Sequence, residues 1–165
     1  MKRVAVLIPT MGRPHRVAPV LASLLASSDQ VQPYYLACAN DPETVAAIRA
    51  FDVPLFLCEG PSWPHKINQG YLRTREPWIF TGADDLHFAP GWIEKAAPYF
   101  AWFEGIVGTN DLCNPDTATG ENSTHMFISR AYADQHGTID GPGAITHEGY
   151  RHHRCLLYTS PSPRD

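Results

Sequence analysis

The sequence predicts an α/β domain built on a mostly parallel sheet with helices on both faces. Three observations carry this. Val4 to Ile8 is an unbroken β-branched and apolar run, the texture of a strand buried on both faces. Strand-like runs then alternate with helical spacings through Phe103, a βαβαβαβ order that implies parallel strands joined by crossover helices. Finally, the run Trp78-Ile-Phe80 breaks off into Thr81-Gly-Ala-Asp-Asp85, which sets two adjacent carboxylates at the end of a strand.

The elements follow in order. After the first strand, Pro9 to Pro14 is a loop, and Val17, Val20, Leu21, Leu24 and Leu25 recur at helical spacing. Pro19 suits such a helix only in its first turn, so a start later than Pro14 is expected. Tyr34 to Ala39 is the second strand. Asp41 then caps a helix with Pro42 at its first position, and Val45, Ile48 and Phe51 face inward. Val53 to Cys58 is the third strand, with Pro54 near its start. His65 to Arg75 is a polar-faced helix whose apolar residues are Ile67, Tyr71 and Leu72. Trp78 to Phe80 is the fourth strand, and Pro90 to Phe103 a helix stopped or bent near Pro98.

After Glu104 the texture changes. Gly105 to Gly108 is a short strand, and residues 109–123 form a long polar loop. Thr124 to Ser129 is a strand and Arg130 to His136 a short helix. A turn-rich link, 137–143, leads to residues 144–153.

Bulk properties bound the function. The 165 residues make one domain with a real core. A net charge of −4 argues against gripping nucleic acid by bulk electrostatics. No apolar stretch approaches the roughly 20 residues of a membrane span. Only five apolar residues follow Met1-Lys2-Arg3 before Pro9, which argues against a signal peptide. Cys38, Cys58, Cys113 and Cys155 make no CxxC pair and no zinc spacing; they read as unpaired, mostly packing thiols in a reducing cytosol. A cytoplasmic location is therefore expected.

The last eleven residues, Cys155 to Asp165, allow a back-translation that resembles the transposon-end adapter used to fragment DNA for sequencing, read through in frame. They are expected to be a non-native tail on a domain of residues 1–154, with the natural chain truncated there and continuing past Arg154.

In an open parallel sheet, ligands sit outside the carboxyl ends of the strands. The strand ends here are Pro9-Thr10, Asn40-Asp41, the loop from Glu59, and Asp84-Asp85. Two acids on that rim, with Arg13 and Lys66 in reach, suit a divalent cation holding a diphosphate, because a hard ion bridges carboxylate and phosphate oxygens that would otherwise repel. The plainer reading is a surface loop whose second Asp caps the next helix. Pro9-Thr-Met-Gly-Arg-Pro14 is neither GxGxxG nor a Walker sequence, so dinucleotide and P-loop readings lack the loop they need. His147-Glu148-x-x-x-His152 is not HExxH: the extra residue turns the second His about 100° off the shared helix face, which argues against a zinc protease. Trp63 and Trp92 are large aromatics able to stack on a sugar or base, though such residues more often fill a core.

Several segments together resemble one family. Val6-Leu-Ile-Pro-Thr-x-Gly-Arg-Pro14 is similar to the opening of GT-A-fold glycosyltransferases of the family-2 type. Lys66-Ile-Asn-Gln-Gly-Tyr71 stands where those enzymes carry a basic residue and an Asn. Trp78 to Asp85, followed by Leu-x-Phe-x-Pro-Gly-Trp92, resembles their Asp-x-Asp segment, and Thr124 to Tyr132 their acceptor-side strand and helix. The version here is similar to short glycosyltransferase-like proteins of bacteriophages and their hosts.

The resemblance implies a GT-A-like, Rossmann-like fold and transfer of a sugar from a nucleotide-diphosphate donor to a glycan or other hydroxyl acceptor. It implies Mn2+ or Mg2+ held by Asp85, with Asp84 assisting through metal water or the ribose. Pro9, Thr10, Asn40 and Asp41 would line the nucleoside pocket, Arg13 and Lys66 would face the diphosphate, and Asn68 would lie in the same binding region. His147 would offer a further metal or phosphate contact. The metal segment departs from the family pattern by having Ala83-Asp84-Asp85. The family's catalytic-base carboxylate is expected just after His153, which leaves Glu148 as the nearby acid in this chain. Two alternatives stay open: a non-catalytic nucleotide-sugar or glycan-binding relative, and a sugar-phosphate nucleotidyltransferase, which would need a glycine-rich Lys/Arg loop after the first strand.

Overall fold

The structure is a computed structural model of the chain, and it describes residues 3–60, 62–113, 115–120, 123–137 and 143–146. His147, Glu148, Cys155 and the expected adapter-derived residues 155–165 lie outside the described residues.

The strands are β1 (Val4–Pro9), β2 (Val31–Cys38), β3 (Leu55–Cys58), β4 (Trp78–Thr81), β5 (Ile106–Gly108) and β6 (Met126–Ser129). The helices are α1 (Pro14–Ser27), α2 (Pro42–Arg49), α3 (Trp63–Arg73), α4 (Trp92–Phe100), α5 (Pro115–Ala118) and α6 (Arg130–His136). The six strands form one sheet in the order β3-β2-β1-β4-β6-β5. β3, β2, β1 and β4 run parallel, while β6 is antiparallel to both β4 and β5.

β1 lies centrally, with Val4 level with Val31 on one side and Trp78 on the other. Its side chains split between two cores. Val4, Val6 and Ile8 pack with Val17 and Leu24 of α1, Ile48 of α2 and Ile93 of α4. Ala5 and Leu7 pack with Ile67 and Tyr71 of α3 and Ala133 of α6. Burial on both faces is why the β1 sequence is continuously apolar rather than alternating.

Proline positions account for several differences from the expected elements. α1 starts at Pro14 and carries Pro19 in its interior, not in its first turn. Pro19 lies on the exposed side of α1, where its ring meets solvent rather than the core. β2 starts at Val31 and contains Pro33. The Tyr35 amide bonds toward the β3 side, at Pro54, so the same-facing Pro33 nitrogen points where β3 has not yet begun and no ladder bond is lost. α4 is shorter than expected, and Pro98 sits within its last turn. Phe51, expected to face inward, is exposed instead, and Leu25 and Leu72 of the apolar patterns are exposed as well. Cys38 and Cys58 are buried free thiols, whereas Cys113 is a free and exposed one. Residues 109–123 include the one-turn α5 rather than only loop.

Among the described residues, no helix is long and apolar enough to cross a membrane.

Candidate active site

The carboxyl ends of β1, β2 and β4 bring the expected rim residues together. Thr10, just past β1, is the junction. Its amide donates to the Leu36 carbonyl on β2 at 3.0 Å, its hydroxyl donates to Asp84 Oδ2 at 2.8 Å, and its carbonyl accepts from Lys66 Nζ at 2.7 Å. One buried residue thus ties together β2, the β4 loop and α3. Pro9, before it, is buried in the strand.

The two acids differ in environment. Asp84 is nearly enclosed, with an 11% exposed side chain; Oδ1 accepts from Arg13 Nη1 at 2.9 Å while Oδ2 holds Thr10. Asp85 has a 56% exposed side chain, and its Oδ2 stands 3.7 Å from the same Arg13 nitrogen. Gly82 sets up this loop. Its amide donates to the Leu7 carbonyl at 2.8 Å, and a Cβ there would lie 2.7 Å from that oxygen, a contact no side chain tolerates. Trp63 Nε1 donates to the Gly82 carbonyl at 3.2 Å, pinning the start of α3 to the same loop.

Asp41 binds two turns at once. Oδ2 accepts from the Gly12 amide at 2.6 Å, and Oδ1 accepts from the Thr44 amide at the start of α2. The Gly12 hydrogen bond is the main reason its carboxyl is held below the usual carboxylate range, against a smaller opposing effect of desolvation. Gly12 has φ +66°, which brings its amide to Asp41 without the penalty an L side chain would carry. Asn40 is exposed beside this pair.

Lys66 is 2% exposed and, among the described residues, has no carboxylate at ion-pair distance. Its Nζ, bonded to the Thr10 carbonyl, lies beneath the rim. Asn68 has a different task from the one expected of it. Its Oδ1 accepts from the amides of Ile145 and Thr146 at 3.0 and 2.9 Å, and its Nδ2 donates to the Thr146 carbonyl at 2.8 Å. It is buried, and these bonds turn it to the 145–146 backbone rather than to the rim.

His125 also stands at this rim, with no local motif to mark it. Because β6 is antiparallel, its start lies beside the end of β4, and His125 Nδ1 donates to the Thr81 carbonyl at 2.7 Å. Only the strand direction places it at this rim, and a local pattern does not reveal direction. Trp92 belongs to the core: it packs on Phe80, Phe88 and Phe127, and its indole donates to Ser27. His87, next to the acids, is exposed.

Among the described residues, no group of three or more His, Cys, Asp or Glu is placed to hold a metal. The available donors are the oxygens of Asp84 and Asp85. This set fits a hard divalent cation, which takes one or two carboxylates and completes its shell with water and substrate phosphates. A separate groove of about 550 Å³, lined by Ala39, Pro42, Val45, Ala46, Arg49 and Leu57, opens by α2 and β3 and holds none of the rim side chains.

No protein-family model matches the chain, and no curated protein matches it in sequence. Solved structures do. A mannosyltransferase from Pyrobaculum calidifontis, in complex with GDP-Man and Mn2+, matches with a TM-score of 0.64 at 16% identity, covering 78% of this chain and 45% of that one. Glucosyl-3-phosphoglycerate synthase from Mycobacterium tuberculosis, in complex with Mn2+, UDP and glucosyl-3-phosphoglycerate, matches with a TM-score of 0.65 at 11% identity, covering 86% and 61%. This is a GT-A fold. CMP:2-keto-3-deoxy-manno-octonic acid synthetase, complexed with CTP, is also similar to it, with a TM-score of 0.57 at 10% identity over 79% and 76% of the two chains. At these identities the shared property is the fold. The chain spans less than two thirds of the length of both glycosyltransferases.

Proposed function

We propose that the protein is a metal-dependent glycosyltransferase that moves a sugar from a nucleotide-diphosphate donor to an acceptor hydroxyl. The observation that carries this is the rim of the GT-A sheet, where Thr10 and Arg13 engage both oxygens of Asp84 and leave the Asp85 carboxylate open to solvent. The solved glycosyltransferases of this fold hold Mn2+ with GDP-Man or UDP, which supports the same ligand class here.

In this reading Asp85 is the metal ligand, and Asp84 serves it from a fixed position through water or the ribose. Asp41, Asn40, Pro9 and Thr10 line the nucleoside side. Arg13 faces the diphosphate from the loop, and Lys66 contributes through its charge from beneath, since its ammonium is held on the Thr10 carbonyl. A bound Mn2+ or Mg2+ would supply Lewis-acid neutralisation of the departing diphosphate. Asn68 acts on the acceptor side, by holding residues 145–146 against α3. Glu148 follows two residues later and is the proposed base that takes the proton of the acceptor hydroxyl, with His147 a further metal or phosphate contact.

Ala83, in place of a further acid, favours a second reading in which the chain binds a nucleotide sugar without turning it over. Incubating the full chain with UDP- and GDP-sugars, Mn2+ and candidate acceptors separates the readings. Release of nucleoside diphosphate with a glycosylated acceptor supports transfer. Binding without product supports the non-catalytic relative. Conversion of a sugar 1-phosphate and a nucleoside triphosphate to a nucleotide-diphosphate sugar and pyrophosphate would instead identify a nucleotidyltransferase.

A further inference from the structure

We propose that Arg13 is a built-in counter-ion of the acidic pair, which an incoming divalent cation must displace from Asp85. The inference rests on the metal reading of the rim. A single guanidinium nitrogen, Arg13 Nη1, stands 2.9 Å from Asp84 Oδ1 and 3.7 Å from Asp85 Oδ2, so one cation serves both carboxylates.

The backbone on either side of Arg13 is fixed. The Gly12 amide is bound to Asp41, Pro14 opens α1, and the Arg13 carbonyl accepts from the Arg16 amide at 3.0 Å. Arg13 occupies the N-cap position of α1 without capping it by its side chain, which leaves the guanidinium for the acids. Half of that side chain is exposed, at 49%, so it is able to move.

Two adjacent carboxylates repel each other, and here Arg13 relieves that repulsion. Its hold on Asp84 is the shorter and comes from a fixed partner. Its attraction to Asp85 is the longer and the one a divalent ion would contest. A cation arriving at Asp85 therefore meets a positive charge already in place, and metal alone binds more weakly than the two acids would otherwise allow. Once displaced from Asp85, the guanidinium is free to take a second anion of like geometry, a diphosphate. The same residue thus favours filling the rim with metal and diphosphate together over metal alone.

The test titrates Mn2+ alone, without nucleotide, into the full chain and reads free Mn2+ by electron paramagnetic resonance. Arg13→Gln is expected to tighten Mn2+ binding by up to about thirtyfold, the water-screened effect of removing one unit charge near 4 Å from a divalent ion. Arg13→Lys, which keeps the charge, is expected to stay close to the parent. Unchanged or weaker binding in Arg13→Gln, or an equal gain in Arg13→Lys, would overturn the proposal while leaving the metal reading intact. Failure of both the parent and Arg13→Gln to take up Mn2+ would overturn the two together.

Discussion

The hydroxyl of Thr10 donates to Asp84 Oδ2 at 2.8 Å, joining the end of β1 to the loop after β4 across 74 residues of sequence. Both groups are buried, so the bond has no ready substitute in water. Thr10→Val keeps the shape and removes the donor. It is expected to cost about 1–3 kcal/mol in urea denaturation, the penalty for a buried carboxylate oxygen left without a partner.

Asn68 binds the backbone of residues 145–146 through three hydrogen bonds to main-chain groups. Asn68→Ala leaves two buried amides without an acceptor. Hydrogen exchange should show the Ile145 and Thr146 amides losing protection, while amides of β1 keep theirs. Equal protection at 145 and 146 in the variant would remove Asn68 from its role on the acceptor side.

Gly82 admits no side chain, because a Cβ would meet the Leu7 carbonyl at 2.7 Å and that oxygen belongs to the central strand. Gly82→Ala is expected to destabilise the fold by about 1–3 kcal/mol, through the strain of overpacking against backbone. Since Asp84 and Asp85 follow two and three residues later, it should also weaken sugar-nucleotide binding beyond the effect on stability, as read by calorimetry well below the melting temperature.

Asp41 carries a pH signature. Its carboxyl titrates below its ordinary value of 3.8 because it accepts from the Gly12 amide, with Thr44 adding to this. A carboxyl whose folded pKa is depressed stabilises the fold above its unfolded pKa, and that contribution is lost as pH falls through the folded value. The stability gap between the parent and Asp41→Ala should therefore be fully open at neutral pH and narrow once the pH drops below about 4. Chemical denaturation at stepped pH measures it; a gap that is constant throughout would assign Asp41 a capping role without the charge.

Much of the fold was legible because the sheet is parallel and doubly covered. The unbroken apolar run of β1, the Asp41-Pro42 cap and the apolar stop at Thr81-Gly82 are local signals, and each lies where expected. The prolines were harder to read. Pro19 is accepted inside α1 because it lies on the exposed side, and Pro33 inside β2 because β3 begins only at Leu55; both depend on neighbours that a local pattern does not contain. At the site, the placing of Thr10, Asp41, Asp84 and Asp85 on one rim followed from one rule about strand ends. The divisions within it did not. Lys66 and Asn68 are two residues apart on α3, yet one reaches the Thr10 carbonyl and the other the 145–146 backbone. His125 reaches the rim only through the reversed direction of β6.

In the proposed function Asp85 holds a divalent cation, which in turn holds the donor's diphosphate. Calorimetric titration of a nucleotide sugar into the full chain, with and without Mn2+, tests it most directly when repeated on Asp85→Ala. The Asp85 side chain is exposed and, among the described residues, makes only a long contact to Arg13, so the variant should fold as the parent does. The parent is expected to bind in a Mn2+-dependent manner and Asp85→Ala to lose that dependence entirely. Unchanged Mn2+-dependent binding in Asp85→Ala would contradict the account.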